Sequence, residues 1–231
     1  MSTPVTGAVS AGRSGGLGAA AGIAAVSAAV AAAATAYWLL VRPWHLRWGA
    51  TAGEVQSAWP GDHLIPHPMA SATHAVTIQS PAAEVWPWLA QMGQGRGGFY
   101  SYTWLENLIG CRIENADRIL QEHQHLQVGD PISVHPDAPP LGVAIVDPGR
   151  SLVLAATLAE QGLEVVSGTW AFMLRDLGEG ACRLVARTRW TWPPGLSAWV
   201  GHRLALEPAH FVMERRMLLG IKQRAEAGSR R

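Results

Sequence analysis

A long uncharged segment near the amino terminus constrains this chain more than any other feature. No residue from 15 to 41 carries a charge, and Arg13 and Arg42 flank the segment. A helix crosses a bilayer with about 20 consecutive apolar residues, and Tyr37 and Trp38 lie near the far end, where a membrane interface would be. The pattern predicts one transmembrane helix over residues 15–41, preceded by a disordered N-terminus over residues 1–14.

The same segment is rich in alanine and glycine and is therefore only weakly hydrophobic. A cleaved signal peptide and a segment outside any membrane are the two alternatives. Arg42, His45 and Arg47 follow the segment closely, and cytoplasmic flanks carry an excess of basic residues. We therefore expect a single-pass membrane protein whose soluble domain is cytoplasmic.

Composition narrows the classes of partner. The chain has 231 residues, a net charge of +1 and 15% charged residues, with no basic run that could neutralise several phosphates, so nucleic acid is not an expected partner. Cys111 and Cys182 form no C-x-x-C motif, although one disulfide stays open. The histidine pairs at 63/67 and 123/125 lack recognised ligand spacing, so we expect no metal and no cofactor.

Beyond the apolar segment, we expect a Trp- and Pro-rich arm over residues 42–70, a folded domain over 71–226 and a tail over 227–231. Thr51 and Glu54 stand three apart, as in a capping box, which predicts a short helix in the arm. The alternation around His74 to Ile78 predicts a first strand, and Pro81 opens a helix that runs to Gly93.

Hairpin-linked strands are predicted at 126–134, 141–146, 151–157, 166–174 and 182–190 because turn residues separate them. In the last strand Arg183, Arg187 and Arg189 alternate with apolar residues, which predicts that they lie on a solvent-exposed face. A final helix is expected from near Pro208 to about Glu226.

The glycine-rich stretch 92–107 lies between two predicted helices. Its G-x-G-x-x-G pattern follows a helix instead of a strand, so a dinucleotide site is not expected. Tyr100, Tyr102 and Trp104 are candidates for a pocket mouth or for ordinary packing. Arg96 could attract an anionic group or hydrogen-bond nearby carbonyls.

The C-terminal helix carries two polar residues on its apolar side. Met213, Met217 and Ile221 lie on that arc, and His210 and Glu214 fall in its middle, four residues apart, so that their side chains can meet. Glu214 is either a buried carboxylate paired with a cation, or an anchor or acid/base group for a ligand.

Several short motifs resemble one protein family. They include Trp-Gly-Ala-Thr at 48–51, Pro-Gly-Asp at 60–62, Val-Trp-Pro-Trp-Leu at 85–89, Gln-Met-Gly at 91–93, the segment 96–110, Asn-Ala-Asp-Arg-Ile at 115–119, Gly-Asp at 129–130 and Phe-Val-Met-Glu-Arg at 211–215. Over residues 47–226 the chain is similar to an uncharacterised, membrane-anchored bacterial branch of the SRPBCC or START-like superfamily, often labelled polyketide cyclase/dehydrase-like.

The resemblance implies an α+β helix-grip fold, in which a curved antiparallel sheet wraps around a long C-terminal helix and a hydrophobic cavity lies between them. We therefore expect membrane-anchored binding or transfer of a hydrophobic or amphipathic small molecule, such as a lipid or isoprenoid. The candidate ligand-binding residues are Arg96, Tyr100, Tyr102, Trp104, Trp170, His210, Glu214, Met217 and Ile221.

Two alternatives stay open, because this superfamily shares a fold without sharing a catalytic set. One is a cyclase or dehydratase, in which Glu214 and His210 act as acid and base and Tyr100 or Tyr102 polarises an oxygen. The other is a ligand-free interaction module. The sequence does not decide whether the protein is an enzyme.

Overall fold

The structure, a computed structural model, describes residues 14–160 and 163–228. The chain forms two compact units, Met1–Trp44 and His45–Arg231. The first contains α1 (Ser14–Ala36) and a π-helical turn (Tyr37–Val41). The stretch Gly22–His45 is, among the described residues, the one helix long and apolar enough to cross a membrane. The predicted disordered N-terminus lies, apart from Ser14, outside the described residues, as do residues 229–231 of the predicted tail.

The second unit is built on a six-stranded sheet in which every neighbouring pair is antiparallel, with the order β1-β6-β5-β4-β3-β2. Its strands are β1 (Ala70–Ile78), β2 (Pro131–Ile132), β3 (Leu141–Asp147), β4 (Ser151–Glu160), β5 (Leu163–Gly178) and β6 (Ala181–Trp190). Register shifts interrupt the β3–β4, β4–β5 and β5–β6 ladders. Such irregularities bend strands and increase their twist, which suits a curved sheet.

The helices of the chain after residue 41 are α2 (Arg42–His45), α3 (Ala52–Gln56), α4 (Ala82–Ala90), α5 (Thr103–Leu108), α6 (Leu196–Val200), a π-helical segment (Gly201–Leu206) and α7 (Glu207–Gly228), with 3-10 turns at Asp62–Leu64 and Gln121–His123. Helices α4 and α7 lie on the inner face of the sheet. The predicted capping box is present, because Thr51 and Glu54 exchange side-chain and backbone hydrogen bonds. The long helix α7 packs against β1 and α4.

The main core lies between the inner face of the sheet and helices α4 and α7. Phe172, Leu184, Met217 and Ile221 are fully buried there. Gly220 permits the close approach of α7 to the glycine-rich stretch, because a Cβ at this position would overlap the carbonyl oxygen of Tyr100. Met217 and Ile221 of α7 therefore belong to the main core.

The arginines of β6 correct one prediction. Arg187 is only 3% exposed, and its guanidinium donates to Asp62 Oδ2 and to the carbonyl oxygen of Ser57, both at 2.8 Å. Arg183 pairs with Glu54 at 2.8 Å, and Arg189 with Asp62 at 2.9 Å. The arm covers this face of the sheet, so the arginines hold the arm and do not face bulk solvent.

The hydrogen bond from Arg183 is the main cause that lowers the pKa of Glu54 to about 2, against the opposing effect of burial. Under the arm, Ala75, Met173 and Val185 form a second small core with Ala50 and Trp59. The six-stranded antiparallel sheet and the long helix α7 confirm the α+β helix-grip architecture that the sequence predicted, and an apolar N-terminal helix precedes them.

Candidate functional site

A cavity of about 140 Å³ lies where α7 begins. The start of the arm, β1, β6 and the segment from β6 to α7 enclose it, and its walls are mostly apolar. Its lining comprises His45, Leu46, Ala70, Ser71, Ala72, His74, Thr188, Trp190, Trp192, His202, Leu206, Glu207, His210 and Phe211. The cavity is partly open to the outside, so a small molecule could enter it.

A buried carboxylate lies directly behind one wall of this cavity. Glu214 is 2% exposed, and its Oε2 is hydrogen-bonded to His74 Nδ1. The indole Nε1 of Trp170 donates to Glu214 Oε1 at 2.6 Å, and His210 Nε2 lies 3.5 Å from the same oxygen. The i, i+4 spacing on α7 places His210 beside Glu214, while the sheet supplies His74 and Trp170.

The hydrogen bonds indicate how this pair is protonated. His74 Nε2 lies 2.7 Å from the carbonyl oxygen of His45, which can only accept, so Nε2 carries a proton. Burial alone would raise the pKa of Glu214, but attraction to His210 and His74 lowers it overall. Burial opposes the protonated form of His74, yet Glu214 raises the pKa of His74 above its ordinary value. The directions of both pKa shifts favour a charged pair, in which His74 is the imidazolium and Glu214 the carboxylate.

Aromatic rings surround the polar groups. His210 packs edge-to-face against Trp170 and Trp190, with ring centroids 5.7 and 5.8 Å away. His202 stacks on Trp192 at 4.1 Å with nearly parallel rings. The site can therefore contact a flat apolar group over its faces and offer imidazole nitrogens to a polar substituent.

Three of the predicted site residues come together here. His210 lines the cavity, and Glu214 and Trp170 lie behind it. Met217 and Ile221 lie further along α7 in the packed core.

The four predicted residues of the glycine-rich stretch are not in the cavity lining. Arg96 donates to the carbonyl oxygens of Met92, Ala90 and His123, which matches the alternative of local hydrogen bonding. The Tyr100 hydroxyl donates to the carbonyl oxygen of Trp88, and burial raises the pKa of Tyr100. Tyr102 packs beside Trp104, which is 69% exposed.

Sequence reasoning missed most of the lining, including His45, His74, His202 and Trp192. A signal existed for His74, because it shares the inner face of β1 with Val76 and Ile78 and is a polar residue in an apolar alternation. His202 and Trp192 had no comparable pattern, since His202 lies in a short π-helical segment and Trp192 follows the end of β6 outside any helix or strand. In the part of the chain that the structure describes, no three His, Cys, Asp or Glu side chains are placed to share a metal ion.

No protein-family model matches the chain, and no curated protein does. Among solved structures, a hypothetical protein from Helicobacter pylori is 12% identical, covering 73% of this chain and 95% of its own, with a TM-score of 0.46. A conserved protein from Geobacillus kaustophilus is 14% identical, with coverages of 68% and 95% and a TM-score of 0.39.

A Polyketide_cyc-like protein from Corynebacterium glutamicum is 14% identical, covering 71% of this chain and 96% of its own, with a TM-score of 0.36. Values of this size assign no activity and no ligand to this chain. Its function has to be argued from its own cavity.

Proposed function

We propose that this protein is a membrane-anchored binding protein for a small hydrophobic or amphipathic molecule, which it holds in the cavity at the start of α7. The observation that carries the proposal is a mostly apolar cavity whose lining includes His74 and His210, with the buried carboxylate of Glu214 behind them. Few polar groups on an apolar lining are typical of small-molecule sites, where they fix the orientation of the ligand.

The volume limits the ligand. A cavity of about 150 Å³ lined by apolar side chains accommodates benzene, and this one measures about 140 Å³. It can enclose one ring or a short branched group. A lipid or isoprenoid would therefore place one end in the cavity and leave the rest of its chain outside, so a compact or amphipathic ligand fits best.

Two polar side chains of the cavity lining, Thr188 and His210, can orient a ligand. Thr188 is fully buried, lines the cavity and has, within the described residues, no hydrogen-bond partner for its Oγ1. His210 lines the same cavity and is held beside Glu214. A ligand with one hydroxyl or carbonyl group could satisfy these side chains while its apolar part contacts Trp190 and Phe211.

The helix Gly22–His45 supports the membrane part of the proposal. Its length and composition suit a single crossing, and the basic residues after it favour a cytoplasmic domain. In this position the protein could bind an apolar molecule close to the bilayer, or transfer one to and from it.

Saturation-transfer NMR with p-cresol tests the proposal on the full chain in detergent micelles. Ala72 is buried in the cavity wall, so Ala72→Leu fills space that the ring needs. Ala138→Leu adds the same atoms to an exposed loop and serves as the matched control. We expect transfer to p-cresol in the wild type and in Ala138→Leu, and its loss in Ala72→Leu. Equal signals in all three would contradict binding in this cavity.

Acid–base catalysis is a second candidate, favoured by one observation: a cavity-lining histidine, His210, lies 3.5 Å from a buried carboxylate. A carboxylate that orients an imidazole is a common arrangement for a general base. Tyr100 and Tyr102 are absent from the lining, so His210 would have to act without them. Incubating a co-purified molecule with the full chain, followed by chromatography and mass spectrometry, separates the candidates, because an enzyme converts the molecule to a product whereas a binding protein returns it unchanged.

A further inference from the structure

The connection between β6 and α7, which contributes Trp192, His202 and Leu206 to the cavity lining, carries several exposed apolar side chains. In the connection between β6 and α7, Leu196 is 78% exposed, Leu204 54% and Leu206 57%, and Trp199 and Val200 are also exposed. We call these five residues the apolar rim. Single exposed leucines are common on protein surfaces, but a cluster of this kind marks an interaction site.

The apolar rim continues into a groove beside it. The groove is lined by Leu158 and Val165 at the β4–β5 hairpin and by Trp192, Pro193 and Pro194, with Ser167 and Thr191. Trp192 lines both this groove and the cavity, and Leu206 lines the cavity from the rim. The exposed apolar surface therefore borders the cavity and extends to the hairpin.

Chain connectivity indicates what covers this surface. The apolar stretch Gly22–His45 ends at His45, and His45 itself lines the cavity. No linker residue separates the two. If this helix crosses a bilayer, chain connectivity alone keeps His45 within a few residues of the lipid surface.

The composition of the rim segment fits a lipid surface. Residues 196–206 contain no acidic residue, one arginine and one histidine, so anionic lipids would not repel the segment. Tryptophan and leucine on a short helical segment are typical of helices that lie in the interface, with their apolar face about 5–10 Å deep in the headgroup boundary.

We infer that the apolar rim and its groove dock on the bilayer, so that the cavity opens at the lipid surface. The inference rests on the proposed membrane attachment. In this docked arrangement an apolar ligand can pass between the bilayer and the cavity without crossing water.

Site-specific quenching tests this on the full chain in vesicles of phosphatidylcholine and phosphatidylglycerol. Cys111 and Cys182 are buried, so the fluorophore NBD can be attached to a cysteine introduced by Leu196→Cys. The control is Leu177→Cys, at an exposed leucine near the end of β5 away from the β4–β5 hairpin. Leu204→Cys repeats the rim measurement in case the first variant fails to fold.

Lipids with a nitroxide in the acyl chain should reduce the fluorescence at Leu196→Cys and Leu204→Cys about twofold or more, since interfacial side chains lie within reach of that depth. The label at Leu177→Cys should be unaffected. An alkaline carbonate wash of the same vesicles reports on the anchor independently.

A retained protein whose rim labels are not quenched would overturn the docking and leave the anchor intact. Rim labels that are shielded from aqueous iodide but not quenched by lipid would show that a second copy or another protein covers the rim, which also overturns it. Release of the protein by carbonate would overturn the attachment and the docking together.

Discussion

Replacing Glu214 by Gln should destabilise the protein in a strongly pH-dependent way. At pH 8 the cost should be small, about 1 kcal/mol, because the amide can still accept from Trp170 Nε1 and donate to a neutral His74. The variant, however, lacks the negative charge of Glu214 that favours the imidazolium form of His74. Burial then keeps His74 neutral in the folded variant, because burial opposes its protonated form.

The magnitude at lower pH follows from linkage. An unfolded histidine binds a proton below about pH 6.5, and a folded variant that cannot bind it loses about 1.4 kcal/mol per pH unit. Between pH 6.5 and pH 5 this amounts to about 2 kcal/mol. For a chain of this size, about 2 kcal/mol lowers Tm by roughly 4–8 °C.

The wild type should not show this loss. Because the pKa of His74 is raised, its contribution to stability is fully present below about pH 6.5 and disappears as pH rises through the folded pKa. Because the pKa of Glu214 is lowered, its contribution is present above about pH 4.3 and disappears only as pH falls through the folded pKa. The charged pair therefore stabilises the wild type most between these limits.

Thermal unfolding followed by near-UV circular dichroism at pH 5, 6.5 and 8 measures the effect. Glu226→Gln is the control, because it makes the same substitution on the same helix at a carboxylate that pairs with Lys222 and not with a histidine. The Tm gap between wild type and Glu214→Gln should widen as pH falls. A gap of constant size would refute this reasoning, because it would mean that folded His74 binds its proton equally well with and without the carboxylate.

Two further predictions concern the arm and the packing of α7. Glu54→Gln should lower the urea midpoint at pH 7. The difference in urea midpoint between the variant and the wild type should close as pH falls from about 4.3 towards the lowered pKa of about 2, since the wild type then loses its Glu54–Arg183 pair. A difference that persists at low pH would contradict this. Gly220→Ala should lower Tm by an amount equivalent to about 1–3 kcal/mol because its Cβ meets the Tyr100 backbone. Gly201→Ala has open space and should be neutral or stabilising; equal effects would refute the packing argument.

Local patterns were enough to predict much of the fold. The i, i+4 spacing of His210 and Glu214 predicted their contact, which is present at 3.5 Å. The Thr51–Glu54 spacing predicted the capping box that opens α3. Both succeed because the partners lie within one turn of helix, where geometry depends on sequence separation alone.

Predictions that depended on distant segments did worse. Alternation along β6 predicted that Arg187 faces solvent, but the arm brings Asp62 and a set of carbonyl oxygens onto that face. An alternating pattern shows that two faces differ and says nothing of what covers each of them.

The sequence by itself determined the apolar N-terminal segment, the amphipathic C-terminal helix, the hairpin order of the strands and the meeting of His210 with Glu214, because each depends on local spacing. Only the tertiary structure decided where the cavity lies and which charges are paired. His74 reaches Glu214 across 140 residues of chain. Such contacts depend on how strands and helices pack in space, and burial among them determines which side chains stay charged.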